Sequence, residues 1–272
     1  MSVLETQELH DLSWRHLWRY RFAVRNLVLK DFRIRYRNMS LGILWSVLNP
    51  LVMLGVLVVI FSYIHPQRQT ACFPIFLLLG LVPFNFFSLT LGPASGCIVD
   101  SASLIKKLTF PREIVPLASV LSQIIHLLIQ LALLGLFLAI FAVPLSWHAV
   151  WLVPVYLSEI LFLLGAAFFC SALNVYYRDT LYLVQSAITI LFWFTPIFYA
   201  LPMVKQNLPP ALYRLYLCNP LAGAIDTSRR AILDHAGPDP LAFGLSCAVA
   251  VLALVVGWAF FQRMKGNFSD RI

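Results

Sequence analysis

Residues 114–143 read IVPLASVLSQIIHLLIQLALLGLFLAIFAV, a run without a single lysine, arginine, aspartate or glutamate. A helix of about 20 mostly apolar residues is long enough to cross the hydrocarbon core of a bilayer. The whole chain shares this character, because 60% of its 272 residues are hydrophobic and only 12% are charged, whereas soluble domains are about 25% charged. A compact core of this size cannot hide so much apolar surface, so the sequence predicts an integral membrane protein.

Six segments of this kind predict an all-α protein with six membrane-spanning helices. Their expected bounds are 41–64, 73–97, 114–143, 149–172, 181–201 and 241–262. Proline removes a backbone donor and disturbs a helix, so we expect breaks in two of the spans. The residues concerned are Gly80, Pro83 and Asn85 in the second span and Thr195-Pro196 in the fifth. The chain is interpreted as one membrane domain, with an N-terminal interfacial segment (1–38) and a six-helix part (39–272).

Lysine and arginine are distributed unevenly between the two sides of these spans. The side of the N-terminus carries 15 of the 20, and the opposite side carries Arg68, Lys205, Arg214, Arg229 and Arg230. Because positive charge is concentrated on the cytoplasmic side of membrane proteins, both termini are expected in the cytoplasm. An even number of spans independently requires them on one side. The net charge of +8 therefore indicates orientation and contact with membrane lipids, and not nucleic-acid binding.

Two regions on the same side of the membrane as the N-terminus are predicted to contain helices outside the membrane spans. Residues 14–36 are basic, with aromatic and aliphatic residues at helical spacing, which predicts an amphipathic helix in the membrane interface. A solvated basic arm is the alternative. Residues 98–113 read IVDSASLIKKLTFPRE and predict a short helix that a serine caps and Pro111 ends. Its apolar face and basic end suit a partner's groove, although a loop helix resting on the membrane is also consistent.

The longest loop on the opposite side, 202–240, predicts two further helices. The first is expected from Pro209 to Cys218 and the second from Asn219 to about Leu233, each with one apolar face. These helices could dip into the outer leaflet as a lid or lie along the surface.

Two ionisable residues, Glu159 and His126, fall inside predicted spans, where charge is costly and function is a standing hypothesis. The alternatives are a neutral Glu159 that is hydrogen-bonded to a neighbouring helix and a His126 that is packed in the core. A proton-coupled carrier would need several such groups in a row, so two isolated ones argue against it.

The absence of certain sequence motifs excludes one biochemical activity and argues against others. The chain has no GxxxxGK[ST] motif and no Gly-Lys pair, so it cannot hold a nucleoside triphosphate in a P-loop. Ser228-Arg229, His235 and Asp239 fit the SR-x₅-H-x₃-D pattern of membrane lipid phosphatases, in which arginine holds phosphate and histidine attacks phosphorus. The companion motifs KxxxxxxRP and PSGH are absent. Five scattered cysteines without metal-ligand spacing predict no metal site.

Several blocks of sequence together resemble the permease subunits of type-2 ABC exporters, in the branch that exports O-antigen, capsule and teichoic acid. They are KDFRIRYR (30–37), LGILWSVLNP (41–50), LIKK (104–107), FPREI (110–114), NVYYRD (174–179), FTPIFY (194–199) and NPL (219–221). The resemblance spans nearly the whole chain in order. It implies a location in the bacterial inner membrane, an assembly of two permeases with two separate ATPase subunits, and a lipid-linked glycan as substrate. No cofactor is expected in this chain, since ATP and Mg²⁺ would bind the partner.

The resemblance also implies roles for individual residues. The coupling helix on the ATPase would comprise Ser101, Ser103, Leu104, Ile105, Lys106, Lys107, Leu108 and Thr109. The lipid pyrophosphate would dock at Arg33, Arg35 and Arg37, since guanidinium groups match phosphate geometry. The glycan path would be lined by Trp45, Phe192, Trp193, Phe194, Phe198 and Tyr199, because aromatic faces stack on sugar rings. The external gate would be formed by Tyr213, Tyr216, Ile225 and Ile232.

The expected mechanism is mechanical. ATP-driven closure of the partner subunits would push the coupling helices, and the two permeases would open a path for the glycan between them. The first alternative is a type-2 permease for drugs or small lipids, with the same machinery and a narrower path. The alternative of another class is the membrane lipid phosphatase.

Overall fold

The computed structural model describes residues 20–37, 42–61, 72–107 and 110–271. Throughout these ranges the regular structure is helical, without β-strands. The α-helices are α1 (Arg21–Tyr36), α2 (Trp45–Val59), α3 (Phe73–Asp100), α4 (Ala102–Lys107), α5 (Ile114–Ile140), α6 (Leu152–Tyr176), α7 (Thr180–Phe194), α8 (Leu201–Asn207), α9 (Pro210–Tyr216), α10 (Pro220–Ile232), α11 (Pro240–Met264) and α12 (Phe268–Arg271). Short 3₁₀ turns adjoin α2, α6 and α11 at Gly42–Leu44, Trp147–Trp151 and Lys265–Asn267.

Five helical stretches of the described chain are long and apolar enough to cross a membrane. They are Gly42–Val59, Phe73–Lys107, Ile114–Ile140, Trp147–Tyr176 and Pro240–Met264. The prediction of an all-helical, multi-pass membrane protein is therefore confirmed, while the count of six spans is not reached by this criterion.

The stretch that falls short is the predicted fifth span. Helix α7 has 15 residues, which corresponds to about 22 Å, less than the hydrocarbon thickness of about 30 Å. It ends where the sequence predicts a break, because Pro196 forces the preceding Thr195 into an extended conformation (φ −89°, ψ 140°). Residues 195–200 then continue without helical structure before α8 begins.

The predicted break in the second span is wrong. Helix α3 runs through Gly80, Pro83 and Asn85 without interruption for 28 residues. It is buried along nearly its whole length, with Ile75, Phe76 and the following residues through Phe84 almost inaccessible. Proline is tolerated within such a helix, because neighbouring helices surround it and its other hydrogen bonds remain.

Helix α3 is the centre of the bundle, and α2, α5, α6, α7 and α10 pack around it. Helix α6 also packs closely against α11. There a Cβ on Gly165 would collide with the backbone of Ala253, and a Cβ on Gly257 would collide with the carbonyl of Gly165. Small residues allow this approach of two helices within a membrane.

The bundle has two ends that differ in construction. The α4 end is where α3 finishes, and there α1 packs along α5 above a second hydrophobic cluster that includes Leu27, Ile114 and Phe261. The α10 end contains the segment 195–239, in which helix α10 is almost entirely buried against α3, α6 and α11. Helices α9 and α10 lie in the regions where the sequence predicts two helices, and α8 precedes them as a third. Helix α10 is buried and is not a surface helix.

Candidate functional site

The short helix α4 lies at the end of α3 and continues from Ser101, whose carbonyl accepts bonds from Leu104 and Ile105 N–H at 3.0 Å each. The side chains of Leu104 and Ile105 are half-buried and pack against the chain's own second hydrophobic cluster. The exposed side of α4 therefore carries polar and basic groups, and the apolar face expected for a partner is used internally. These exposed residues are Ser103, Lys106 and Lys107, while Leu108 and Thr109 lie outside the described residues.

The loop that follows α4 is anchored to the end of the last span. Lys265 Nζ donates to Glu113 Oε1 at 2.6 Å, and both side chains are nearly buried, with 11% and 4% of their surface exposed. Gln262 Nε2 donates to the same carboxylate oxygen at 3.1 Å. Arg112 also donates to the Lys265 carbonyl. The start of α5 and the end of α11 are thereby held together beside α4.

The three arginines predicted to bind pyrophosphate do not lie on one surface. Arg33 and Arg37 are exposed and line an open groove of about 770 Å³ along α1. Arg35 points to the opposite side, where its Nη2 donates to the Leu89 carbonyl at 3.4 Å. Burial lowers the pKa of Arg35, and the nearby charge of Asp31 opposes this change. Helical spacing of about 100° per residue explains the separation.

Arg35 lines a polar pocket of about 250 Å³ between α1, α2, α3 and α5. His126 is at its wall and is buried, with Tyr36 Oη at 2.8 Å and Ser46 Oγ at 2.9 Å from its Nδ1. His126 is thus neither an isolated charge nor a simple packing residue. Trp45, which was predicted to line the glycan path, also faces this pocket.

Four of the predicted glycan-path residues meet in one aromatic cluster. Phe192, Trp193 and Phe198 lie within 5.7 Å of one another by ring centroid, and Tyr199 lies 5.6 Å from Phe198. Phe61, two residues beyond the end of α2, stacks on Phe198 at 5.9 Å. The cluster is about 24 Å along α2 from Trp45 at 1.5 Å per residue. Phe194 is exposed on α7.

The predicted gate residues divide into two pairs. Tyr213 and Tyr216 on α9 are half-buried against a small cluster that includes Leu201 and Leu217. Tyr216 Oη lies 3.2 Å from Tyr199 Oη, which links α9 to the aromatic cluster. Ile225 and Ile232 on α10 are fully buried in the main core. Their position is that of packing residues, and a gating role for all four stays a prediction.

Arg229 on α10 makes several hydrogen bonds at this end of the bundle. Its guanidinium donates to the carbonyls of Phe76 (3.2 Å), Ile197 (2.5 Å), Pro196 (2.7 Å) and Tyr199 (3.0 Å). The guanidinium carbon also lies 3.5 Å from the centre of the Phe76 ring. One side chain thus supplies donors to the irregular segment 195–200 and ties it to α3. We call this arrangement the arginine clamp.

The electrostatics of the clamp follow from its burial. Burial lowers the pKa of Arg229 to about 9, while Asp226, Tyr216 and Tyr199 act in the opposite direction. The group therefore remains charged at neutral pH. Burial raises the pKa of Asp226 to about 6, and Arg230 and Arg229 oppose the change.

The phosphatase-like residues have structural roles. Ser228 Oγ donates to the Ala224 carbonyl within α10, Arg229 belongs to the clamp, and Asp239 caps α11 by accepting from the N–H groups of Leu241 and Ala242. His235 has a left-handed backbone conformation (φ 50°) in the turn between these helices. Because the arginine is buried and bonded to carbonyls, it is not presented to a phosphate.

Glu159 is buried in α6, and neither carboxylate oxygen has a hydrogen-bond partner within the described chain. The interpretation of a carboxyl bonded to a neighbouring helix is therefore not supported. Tyr156, one turn earlier on α6, has an equally unpartnered hydroxyl.

Sequence reasoning missed three features of this site: the ion pair of Glu113 with Lys265, the clamp formed by Arg229 and the pocket around His126. Each depends on hydrogen bonds between residues at least 30 positions apart in the chain. The unusual presence of single polar residues in or beside apolar runs was the available signal.

Comparison with known proteins agrees with this architecture. A family model described as "ABC-2 type transporter" matches residues 23–233. The chain is 28% identical to the O-antigen export system permease protein RfbA of Myxococcus xanthus, over 95% of this chain and 98% of that protein. It is 29% identical to RfbA of Klebsiella pneumoniae, over 89% and 91%, and 23% identical to the polysialic acid transport protein KpsM of Escherichia coli, over 89% and 93%. The chain therefore belongs to the ABC-2 type transporter family, as its sequence motifs indicated.

Proposed function

We propose that this chain is the membrane permease subunit of an ATP-driven exporter that carries a lipid-linked polysaccharide out of the cytoplasm. The observation that carries the proposal is similarity over nearly the full length to permeases named for O-antigen export and polysialic acid transport. The chain has no P-loop motif, so ATP and Mg²⁺ bind a separate subunit.

The proposed coupling surface is the exposed, basic side of α4. Lys106 and Lys107 project from it, and the ion pair of Glu113 with Lys265 holds the adjoining loop. A push on α4 would therefore reach both the start of α5 and the end of α11. Two ATPase subunits and a second copy of the chain complete the proposed assembly, with both termini in the cytoplasm of a bacterial inner membrane.

The proposed path for the glycan runs from α1 to the aromatic cluster. Pyrophosphate would be received at α1, where Arg33 and Arg37 line one groove and Arg35 lines the pocket on the opposite side. The sugars would then pass the rings around Phe198. Helix α7 together with residues 195–200 would form the sixth crossing, and α9 with α10 the outer gate.

A transport assay tests whether this chain needs a separate ATPase subunit to move the glycan. The full chain is reconstituted in lipid vesicles with a fluorescent lipid-linked oligosaccharide, with and without the ATPase that copurifies with it. We expect ATP-dependent transfer only when both proteins are present. Transfer by the chain alone would contradict the proposal, and a deletion strain that keeps its surface polysaccharide would favour a permease for drugs or small lipids.

The coupling surface is tested by Lys106→Glu. Reversing one exposed charge at a contact surface should reduce ATPase stimulation and export about tenfold, without lowering the amount of folded protein. Lys205→Glu is the matched control, since it reverses another exposed lysine, on α8 at the other end of the bundle. Equal export by both variants would remove α4 from the coupling role.

A further inference from the structure

Most of the residues that line the pocket beside Arg35 have polar side chains, although the pocket lies among apolar helices. Its wall includes Tyr36 from α1, Ser46 from α2, Asn85 from α3, and His126 and Gln130 from α5. Polar side chains inside a membrane protein are costly and are retained where they serve a path or a ligand. Four different elements contribute to this one space, so its polarity does not arise from a single helix face.

One wall of the pocket is already organised by hydrogen bonds. Tyr36 Oη, Ser46 Oγ and His126 Nδ1 lie within 2.9 Å of one another. The Phe32 ring packs edge-on against the Tyr36 ring at 5.1 Å, which restrains the tyrosine. A wall whose groups are mutually bonded before a ligand arrives loses little entropy on binding.

A second wall carries an unsatisfied acceptor. Gln130 is 2% exposed and lines the pocket, yet its Oε1 has no hydrogen-bond partner in the described residues. A buried amide oxygen without a donor costs about 1 to 3 kcal/mol. A rotation of the amide group that turns Oε1 toward the pocket would let a ligand hydroxyl donate to it.

The composition of the lining defines the chemical class of that ligand. Amides, hydroxyls and an imidazole both donate and accept hydrogen bonds, which suits a neutral group rich in hydroxyls. Arg35 supplies the one permanent cation among the described lining residues, and no aspartate or glutamate is found with it there. A guanidinium in that position suits a phosphate oxygen. The volume of about 250 Å³ is below the range of drug-sized pockets, roughly 300 to 1,000 Å³, and suits one sugar ring.

We propose that this pocket binds the first sugar and adjoining phosphate of the lipid-linked cargo, with Arg35 on the phosphate and Gln130, Asn85 and the His126 wall on the sugar hydroxyls. The inference rests on the proposed function and narrows it. It separates Arg35 from Arg33 and Arg37, which face the opposite groove, and it gives His126 a place in recognition of the cargo.

Equilibrium binding tests the proposal without any transport step. The full chain in lipid nanodiscs is titrated with radiolabelled farnesyl diphosphate N-acetylglucosamine, and separately with farnesyl diphosphate that lacks the sugar. We expect Gln130→Leu to weaken binding of the sugar-bearing compound about tenfold and to leave the sugarless one unchanged. Arg35→Gln should weaken both compounds by a similar factor.

Matched controls exist on the same helices. Gln123 is also a buried glutamine on α5 with an unpartnered Oε1, but it lies outside the pocket, so Gln123→Leu should leave binding within about twofold of wild type. Arg25→Gln removes an exposed arginine of α1 and should behave likewise. If Gln130→Leu does not fold, as judged by its thermal unfolding midpoint, Asn85→Leu tests the same pocket.

Three results would overturn the inference. They are equal binding of the two farnesyl compounds by the wild type, equal effects of Gln130→Leu and Gln123→Leu, and binding of soluble UDP-N-acetylglucosamine as tightly as the lipid-linked compound. The assay contains no ATPase, so a chain that binds the sugar but never exports it would refute the proposed function alone. A chain that exports but shows no sugar-dependent binding would refute the pocket alone.

Discussion

Among the described residues, each end of the bundle contains one buried cation, and the two cations have different hydrogen-bond partners. At the α4 end, Lys265 pairs with the carboxylate of Glu113 at 2.6 Å. At the α10 end, Arg229 donates to four backbone carbonyls and lies over the Phe76 ring, and no carboxylate lies within ion-pair distance of it among the described residues.

The two cations differ because they contact different kinds of backbone. Lys265 joins the end of α11 to the start of α5, and its partner is the carboxylate of Glu113. Arg229 serves the segment 195–200, where the helix has stopped and carbonyls lack their usual donors. Guanidinium offers five N–H groups in a fixed plane, whereas an ammonium is a compact point charge. The ion pair of Lys265 with Glu113 therefore joins two helices, and we call it the joint. The arginine clamp instead supplies hydrogen-bond donors to an irregular segment.

The strongest test of this comparison is Arg229→Leu. The substitution leaves several buried carbonyls without donors, so we expect a loss of about 3 to 5 kcal/mol in the free energy of unfolding. Thermal unfolding in detergent measures it. Arg230→Leu is the control, because among the described residues the half-buried Arg230 side chain donates one hydrogen bond, to the Gly237 carbonyl at 2.9 Å. Its loss should cost about 1 kcal/mol. Equal losses of unfolding free energy in the two variants would show that the clamp contributes no more to stability than a single hydrogen bond.

The joint at the α4 end should respond differently to single and double substitution. Glu113→Leu or Lys265→Leu alone leaves a nearly buried charge without its partner, at a cost of about 2 to 4 kcal/mol. Replacing both residues with leucine removes both charges, so the double variant should be more stable than either single one. A double-mutant cycle on unfolding midpoints measures this, and additive losses would show that the two groups do not act as a pair.

The smallest expected effect is that of Gly80→Ala. A methyl group at Gly80 would lie 2.9 Å from both Arg229 Nη2 and the Ile197 carbonyl oxygen, so the clamp must shift at a cost of about 1 to 3 kcal/mol. Gly92→Ala on the same helix has open space around it and should be neutral or slightly stabilising, since alanine favours the helix. Comparing the two unfolding midpoints checks whether Gly80 serves the clamp.

Local patterns predicted most of the fold because they depend only on neighbouring residues. The apolar runs located the long helices, Pro196 predicted the end of α7, and Asn219-Pro220 predicted the start of α10. The same local reasoning failed at Pro83, since burial on all sides of α3 outweighs the loss of one backbone donor. The family resemblance placed Arg33, Arg35 and Arg37 at one docking site, whereas helix geometry divides them between two grooves.

The sequence by itself determined that this chain is a helical membrane protein of a transporter family, because hydropathy and short motifs are local properties of the chain. Tertiary structure alone decided which polar residues meet. Only packing could bring Glu113 to Lys265, Arg229 to the carbonyls of 195–200, and Tyr36 with Ser46 to His126. Buried polar groups need partners wherever the fold supplies them, and spacing along the chain does not reveal where that is.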